Sequence, residues 1–556
     1  MALAEATANG RARRAALEHI RHGERGPVST VSYQSAGRVA VIGHAANAMP
    51  AAERLGDALD CTAVVTSGEV PSQGAPGTRE KVRVIGARVS RVGGHLGAFR
   101  IDAMVDGEET PLAPSLITAH KPFDIVLDLS EPPLIRAELA PAGYFSPRRD
   151  AKALERALEQ IPGFVGEFEK PRYFSYQADI CAHGNSGLTG CSRCLEACPA
   201  DAIRSLKDLI EVDPYLCQGG GGCATACPTG AISYAYPKVS ELLSNLRALL
   251  HGYGEAGGDA AAVLFHDAEA GRAWLETNAA RLPENVIPYE VEEIGSVGLD
   301  AWLSSIAYGA HGVALLCPEG VPRSVRSELE RQLAVARGIL AGMGYSPQRV
   351  AIADPLAGDA AAVFGVDEEP GIAPAKFVAV DEKRTTIRMA VDHLYAHAPD
   401  PTTQVALPKG APFGEIHVNE KTCTLCMACV SVCPSGALAA GGESPVVKFI
   451  EWNCVQCGLC ETACPEDAIT LRPRFVFDAE ARRSARVLNQ DKPFHCVSCG
   501  KAFATTRVIE RMRDKLKDHW MFQKPEALRR MEMCEDCRVK DMFKDGGGLL
   551  DVHDRS

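Results

Sequence analysis

Two runs of cysteine constrain this chain more than any other feature. The first reads Cys423-x2-Cys426-x2-Cys429-x3-Cys433-Pro434, and the second Cys454-x2-Cys457-x2-Cys460-x3-Cys464-Pro465. Three thiolates two residues apart wrap three corners of a [4Fe–4S] cube, and the fourth, after a wider gap, starts a short helix heading for a second cube. The proline ends the local turn and fixes that direction. Disulfides, zinc and buried thiols are the other readings of clustered cysteine, but none of them asks for this spacing twice. The residues between the thiols are small or apolar (Leu425, Met427, Ala428, Val455, Gly458, Leu459). Such residues let backbone N–H groups approach cluster sulfurs and limit water.

On these motifs, residues 413–473 resemble the bacterial dicluster ferredoxins. The resemblance implies one cube on Cys423, Cys426, Cys429 and Cys464, and a second on Cys454, Cys457, Cys460 and Cys433.

Length bounds the rest: 556 residues make about three to five domains. With 46% hydrophobic and 23% charged residues the composition is that of a soluble globular protein. A net charge of −12 speaks against a general nucleic-acid binder and suits a redox carrier that meets protein partners electrostatically. No apolar run is long enough to span a membrane. The Ala/Arg-rich start has no apolar core and is not a secretory signal. Of 21 cysteines, 19 lie in ligand-like clusters, and only Cys61 and Cys317 stand alone. That usage implies metal and cluster ligation in a reducing cytoplasm.

Residues 1–27 read as a charged leader, either a plain solvated helix or an arm for a partner. Residues 28–175 read as an α/β domain. Val39–Ile42 is a buried strand, Ala45–Leu59 a helix and Cys61–Val65 the next strand, the layout of a dinucleotide-binding βαβ start. Where G-x-G-x-x-G would stand, the chain has Gly43-His44-Ala45-Ala46-Asn47-Ala48. The glycines that admit a pyrophosphate are missing, so FAD is not expected. Residues 81–130 alternate like further strands. With the segment GGHLGAF (Gly93–Phe99), residues 37–175 resemble a degenerate form of the large flavin subunit of heterodisulfide reductases.

Residues 176–237 form a second, imperfect ferredoxin unit: Cys181-x9-Cys191-x2-Cys194-x3-Cys198-Pro199, then Cys217-x5-Cys223-x3-Cys227-Pro228. Leu188 occupies the leading ligand position of the first half, and Gly220 the middle position of the second. With the cross-over pattern, Cys181, Cys191, Cys194 and Cys227 hold a [4Fe–4S] cube, while Cys217, Cys223 and Cys198 are left with three thiolates. A [3Fe–4S] cluster, a [4Fe–4S] cluster with a non-cysteine ligand and no cluster at all remain open there, as does service of Cys181 to this second site. His183 is near enough in sequence to substitute, although a lone His in such a loop more often faces solvent.

Residues 238–405 carry no ligand cluster and alternate helix with strand, as in a parallel α/β domain. EIGSVGLDAWLSSIAYGAHGVALLCPEG and GYSPQRVAIAD resemble the delta subunit of methyl-viologen-type hydrogenases. That family's cluster ligands are reduced here to Cys317, read as a buried free thiol in a docking or spacing domain. After the full ferredoxin (406–475), residues 476–556 read as a helical tail. Its two C-x2-C knuckles, Cys496/Cys499 and Cys534/Cys537, fit structural zinc, with mononuclear iron or a cluster as alternatives. Basic residues between them (Arg507, Arg511, Arg513, Lys515, Lys517, Arg529, Arg530) are interleaved with acids, which suits a solvated face more than a nucleic-acid surface.

The expected fold is therefore multidomain α/β with two ferredoxin-like α+β dicluster modules and a small helical four-cysteine metal-binding tail. As a whole the chain resembles polyferredoxin-type electron-transfer proteins. The resemblances imply a cytoplasmic electron carrier with three [4Fe–4S] clusters, one cysteine-deficient cluster and zinc. It would be a subunit or partner of a formate dehydrogenase, hydrogenase or heterodisulfide reductase type of complex, not a stand-alone enzyme. A flavin-containing oxidoreductase subunit and a redox-sensing regulator are the alternatives.

Overall fold

The computed structural model describes residues 3–19, 28–68, 82–105, 107–113, 121–352, 371–442 and 444–544. Residues 1–2 and 20–27 of the expected leader, parts of the β-rich stretch 81–130, the last residue of a strand that the sequence suggests at Arg349–Ala353 and the final residues 545–556 lie outside these.

The amino-terminal domain is built on a five-stranded parallel sheet. Its order is Val82–Gly86, Asp60–Ser67, Arg38–His44, Ile125–Asp128, Tyr144–Phe145. The continuous apolar runs at Val39–Ile42 and Ala63–Val65 exist because both faces of the sheet are covered. The helix after the first strand, Ala45–Leu55, is shorter than the sequence suggests. Gly56 closes it by donating its N–H to Ala52 O at 2.8 Å. An antiparallel pair, Thr30–Ser35 with Gly166–Pro171, carries Tyr33 and Lys170 towards the next domain.

The two ferredoxin modules follow one plan. In the first, Phe174–Tyr176 pairs with Ile232–Tyr234 and Ile203–Leu206 with Leu209–Val212, around helices Arg193–Glu196 and Gly222–Ala226. The extra residues after Cys181 form a small hairpin, Gly184–Asn185 with Leu188–Thr189, so Leu188 has become a strand residue. In the second, Gly414–Val418 pairs with Ile469–Val476 and Leu438–Gly441 with Ser444–Phe449, around helices Ala428–Ser431 and Leu459–Thr462. Gln404–Ala406 and Arg486–Gln490 each add a third strand, so this module draws residues from both neighbouring segments.

Between the modules in sequence lies a four-stranded parallel sheet, ordered Val286–Val291, Ala262–Asp267, Gly312–Leu315, Val350–Ile352. Helices Val239–Glu255, Leu299–Ala307, Arg323–Gly342 and Lys383–Ala396 accompany it, and its core includes Trp302, Phe265 and Ile306. The strands that the sequence suggests at Ala261–His266, Val286–Val291 and Gly312–Leu316, and the helices at Leu299–Ala307 and Ser324–Met343, recur within one residue.

Two expectations need correction. Within the leader, helix Ala8–His19 is not a solvated helix. It packs on helix Val239–Glu255, with Ala12 and Ala16 each 1% exposed. Arg13 is wholly buried and donates to Pro283 O at 3.0 Å, Val286 O at 2.9 Å and Ala4 O at 2.6 Å. Alanines allow the close approach, and three carbonyls satisfy the charge that the sequence suggests is solvated. The tail is also not purely helical. A hairpin, Pro493–His495 with Ala502–Thr505, precedes helices Thr506–Leu516, Pro525–Met531 and Glu535–Lys544. It docks on the second module. Thr505 Oγ1 donates to Thr424 O at 3.1 Å, and Arg511 donates to Thr422 O at 2.9 Å and pairs with Glu466 at 2.7 Å.

Arg13→Ala strands three carbonyls and is expected to cost about 2–3 kcal/mol. A lowered denaturation midpoint, with earlier proteolytic loss of the first helix, checks this.

Candidate metal centres

The ligand loops of the second module have an unusual backbone. Leu425 and Met427 in the first run, and Gln456 and Gly458 in the second, all have left-handed φ angles of 57°, 62°, 54° and 86°. Three of these are not glycine, and such strain persists where the surroundings enforce it, commonly at binding sites. Alternating right- and left-handed residues turn successive N–H groups inward into an anion-binding nest, which suits a sulfur-rich, negatively charged cluster. Cys423, Cys426, Cys429 and Cys464 line one cavity with Val418, Leu425 and Ile469. Cys433, Cys454, Cys457 and Cys460 line another with Ile416, Leu438 and Phe449. Each run thus sends its fourth cysteine to the other's cavity. Ala468 N donates to Cys464 Sγ at 3.3 Å, and Gln456 Nε2 to Cys454 Sγ at 3.3 Å; Gln456 is a donor that its place between two ligands had concealed.

In the first module, the Cys194 thiol is raised by burial and then by the neighbouring Cys227, Cys191 and Cys181. Those four lie together. Cys223 is raised well above its ordinary value by burial and then by Cys198, Cys217 and Cys194. Cys198, Cys217 and Cys223 therefore form the other group. Cys181 is among the neighbours of Cys194. His183 is not solvent-facing. It is 2% exposed, with Nδ1 2.8 Å from Cys191 O and Nε2 2.7 Å from Ser205 Oγ. Both ring nitrogens are engaged, so it props the inserted hairpin.

The loop around Gly220 keeps the nest. Gly219 and Gly221 have φ of 81° and 72°, at the positions matching Leu425/Met427 and Gln456/Gly458. Only the thiol is missing. A Cβ on Gly220 would lie 2.9 Å from Pro199 Cγ and 3.6 Å from Leu139 Cδ1, so carbon, not a donor atom, crowds this corner. The amino-terminal domain closes over the same loop. Lys170 Nζ donates to Cys217 O at 2.6 Å, Tyr33 Oη to Tyr215 O at 2.8 Å, and His95 stacks on Tyr215 with centroids 4.4 Å apart. His95 belongs to the GGHLGAF segment, whose role as a cap on this module is not visible in sequence. At the damaged dinucleotide loop, His44 Nδ1 accepts the Ala46 N–H at 3.1 Å. That amide is one a pyrophosphate would use, so the loop does not fit a dinucleotide.

Cys496, Cys499, Cys534 and Cys537 differ from the other sets. Their sulfurs all lie within 4.8 Å of one another, and Cys499 Sγ is 3.7 Å from Cys534 Sγ. Four thiolates about 2.3 Å from one tetrahedral ion would be about 3.8 Å apart, so the quartet fits a single ion. Burial opposes the Cys496 thiolate, but N–H groups of Cys534, Cys499 and Ser498 outweigh it and lower its pKa to about 6. The isolated thiols are inert by contrast. Burial lifts both Cys61 and Cys317 to about 12; Cys61 is buried, and Cys317, expected as a buried thiol, is half-buried.

Known families match the stretches that carry these cysteines. A 4Fe-4S dicluster domain family matches residues 415–465, a second 4Fe-4S dicluster domain family residues 453–505, and a 4Fe-4S binding domain family residues 210–233. The chain carries 4Fe–4S ferredoxin domains. The match at 210–233 covers the loop of Gly220. The chain is also 41% identical over 54 residues to a subunit of the ion-translocating oxidoreductase complex of Methanosarcina acetivorans, which is 10% of this chain and 20% of that relative. The chain thus spans about a fifth of the curated relative it matches. No described helix is long and apolar enough to cross a membrane.

Cys534→Ser is expected to remove about one metal ion per chain from the tail while leaving iron unchanged, measured by elemental analysis. Protonation of the thiolates competes with the metal, so metal release into a chromogenic chelator should rise as the pH is lowered.

Proposed function

We propose that this protein is a soluble cytoplasmic relay that passes single electrons through four iron–sulfur centres to or from an oxidoreductase complex. The observation that carries the proposal is the pair of cavities in the second module, each lined by four cysteines with the cross-over exchange and an inward-facing nest. In this reading, Cys423, Cys426, Cys429 and Cys464 hold one [4Fe–4S] cube, and Cys433, Cys454, Cys457 and Cys460 a second. Cys181, Cys191, Cys194 and Cys227 hold a third. Cys198, Cys217 and Cys223 hold a [3Fe–4S] cluster, because the Gly220 corner is crowded by Pro199 and Leu139 carbon instead of a fourth donor. The four tail cysteines hold zinc. When bound, the clusters supply one-electron redox chemistry. The chain's own residues exclude water, aim N–H groups at sulfur and set potentials through groups such as Gln456 and Lys170.

The relative's name assigns it to an oxidoreductase complex, which supports a role here as a component or partner of such a complex. Formate dehydrogenase, hydrogenase and heterodisulfide reductase type complexes are the proposed partners. The engaged Ala46 N–H weighs against the flavin-subunit alternative.

The test is anaerobic EPR with iron counting on one sample. About 15 irons per chain are expected, with a [3Fe–4S]⁺ signal as isolated and interacting [4Fe–4S]⁺ signals after dithionite. About 8 irons and no oxidised signal would reduce the redox protein to its second module.

A further inference from the structure

One helix of the middle domain holds both ferredoxin modules. Helix Lys383–Ala396 packs along helix Leu299–Ala307, and its first turn meets both modules. Lys383 Nζ donates to the carbonyls of Ala224 at 2.9 Å, Thr225 at 2.7 Å and Cys227 at 3.2 Å. These close the short helix that follows Gly221 and carries Cys223, where a cation suits the exposed carbonyls. Arg384 then spans the two modules. It donates to Pro228 O at 3.4 Å in the first, and to Trp452 O at 2.9 Å and Cys454 O at 3.0 Å in the second. Burial lowers its pKa to about 10, so it is still charged at neutral pH. One turn on, Arg388 lies 3.4 Å over the Trp452 ring. From the other side, Arg193, between ligands Cys191 and Cys194, binds Glu328 at 2.9 Å and Gly410 O at 3.2 Å.

The modules touch beside their cysteines. A Cβ on Gly190 would lie 2.6 Å from Leu459 Cγ, and Leu459 is wholly buried. Gly190 immediately precedes Cys191, and Leu459 lies between Cys457 and Cys460. Within the modules, helix Arg193–Glu196, which carries Cys194, packs on helix Gly222–Ala226, which carries Cys223, and helix Ala428–Ser431, which carries Cys429, packs on helix Leu459–Thr462, which carries Cys460. Together with the Gly190–Leu459 contact, these packings give a single order.

We propose that the four cysteine sets form one row, Cys198/Cys217/Cys223, then Cys181/Cys191/Cys194/Cys227, then Cys433/Cys454/Cys457/Cys460, then Cys423/Cys426/Cys429/Cys464. Electrons cross between modules at Cys191 and Cys457, and Lys383 and Arg384 are the positioning residues that keep this crossing closed. No bond forms or breaks there. One electron passes, oxidising one side and reducing the other by one. The row runs from beneath the amino-terminal domain, where Lys170 and Tyr33 cover the Cys217 loop, to the tail, which covers Thr422 and Thr424 beside Cys423. The proposal rests on the reading that these sets bind clusters.

The experiment uses the full-length, cluster-loaded protein, with iron counted before each EPR-monitored redox titration. In the wild type, reduced centres of the two modules are expected to broaden and relax one another. Gly190→Leu wedges the contact and should abolish that interaction at unchanged iron content. Arg384→Met should lower the potential of the Cys454-bearing centre by removing a nearby positive charge, leave the Cys423-bearing centre in place, and be largely rescued in Arg384→Lys. Gly190→Leu with full iron and an unchanged interaction would overturn the proposed crossing. Arg384→Met should also weaken the interaction between the modules; full iron with an unmoved potential and an unchanged interaction in that variant would overturn the role of Arg384 in holding the crossing, and that variant decides if Gly190→Leu does not fold. A wild type with about 8 irons per chain or fewer fails earlier, at the iron count, and overturns the four-cluster reading itself.

Discussion

The constraint behind this structure is electrostatic: many thiolates must sit close together where water is scarce. Burial, followed by neighbouring thiolates, pushes Cys429 up to about 12. Burial is also the main reason that Cys457 and Cys191 rise to about 11. Such sites hold thiols at neutral pH until a cation compensates the charge, and a bound metal deprotonates them outright. Assembly of the ferredoxin modules is thereby linked to cofactor loading. The left-handed residues at Leu425, Met427 and Gln456 are the backbone's part of that link, since their strain brings N–H groups to face negative sulfur.

The same constraint gives the remaining domains a common purpose. Neither α/β domain needs a cofactor to explain its form. The amino-terminal domain uses Tyr33, His95 and Lys170 to seal the loop that lacks a fourth cysteine. The middle domain sets cationic side chains against ligand-bearing carbonyls. The tail closes the other end of the cysteine series, with its own four-sulfur site fixing the hairpin that lies there. In the proposed relay, both α/β domains serve as packing around the electron path.

What was legible in sequence follows from the range of each interaction. The second module could be read from spacing because its ligands lie within one short segment and cube geometry leaves few alternatives. The parallel sheets were legible because their strands are continuous apolar runs. The roles of His183 and Arg13 were not, since both depend on carbonyls supplied by the folded chain. His183 bonds Cys191 O beyond the inserted hairpin and Ser205 Oγ 22 residues on, whereas Arg13 reaches a strand that follows some 270 residues later. Lys383 and Arg384 were hidden for the same reason. Their partners at Cys227 and Pro228 lie 156 residues away, and a Lys-Arg pair opening a helix looks like any solvated turn. Gly220 was legible as a missing ligand, but the surviving nest around it required the φ angles of Gly219 and Gly221.

The central claim is a continuous series of four iron–sulfur centres braced by the middle domain. It is tested most directly by anomalous diffraction at the iron and zinc absorption edges from anaerobic crystals of the loaded protein. The account predicts four iron peaks in one row, with the two inner ones flanking Cys191 and Cys457, and a separate zinc peak among the four tail cysteines. Iron confined to the second module, or two pairs of iron peaks separated by the middle domain, would contradict it.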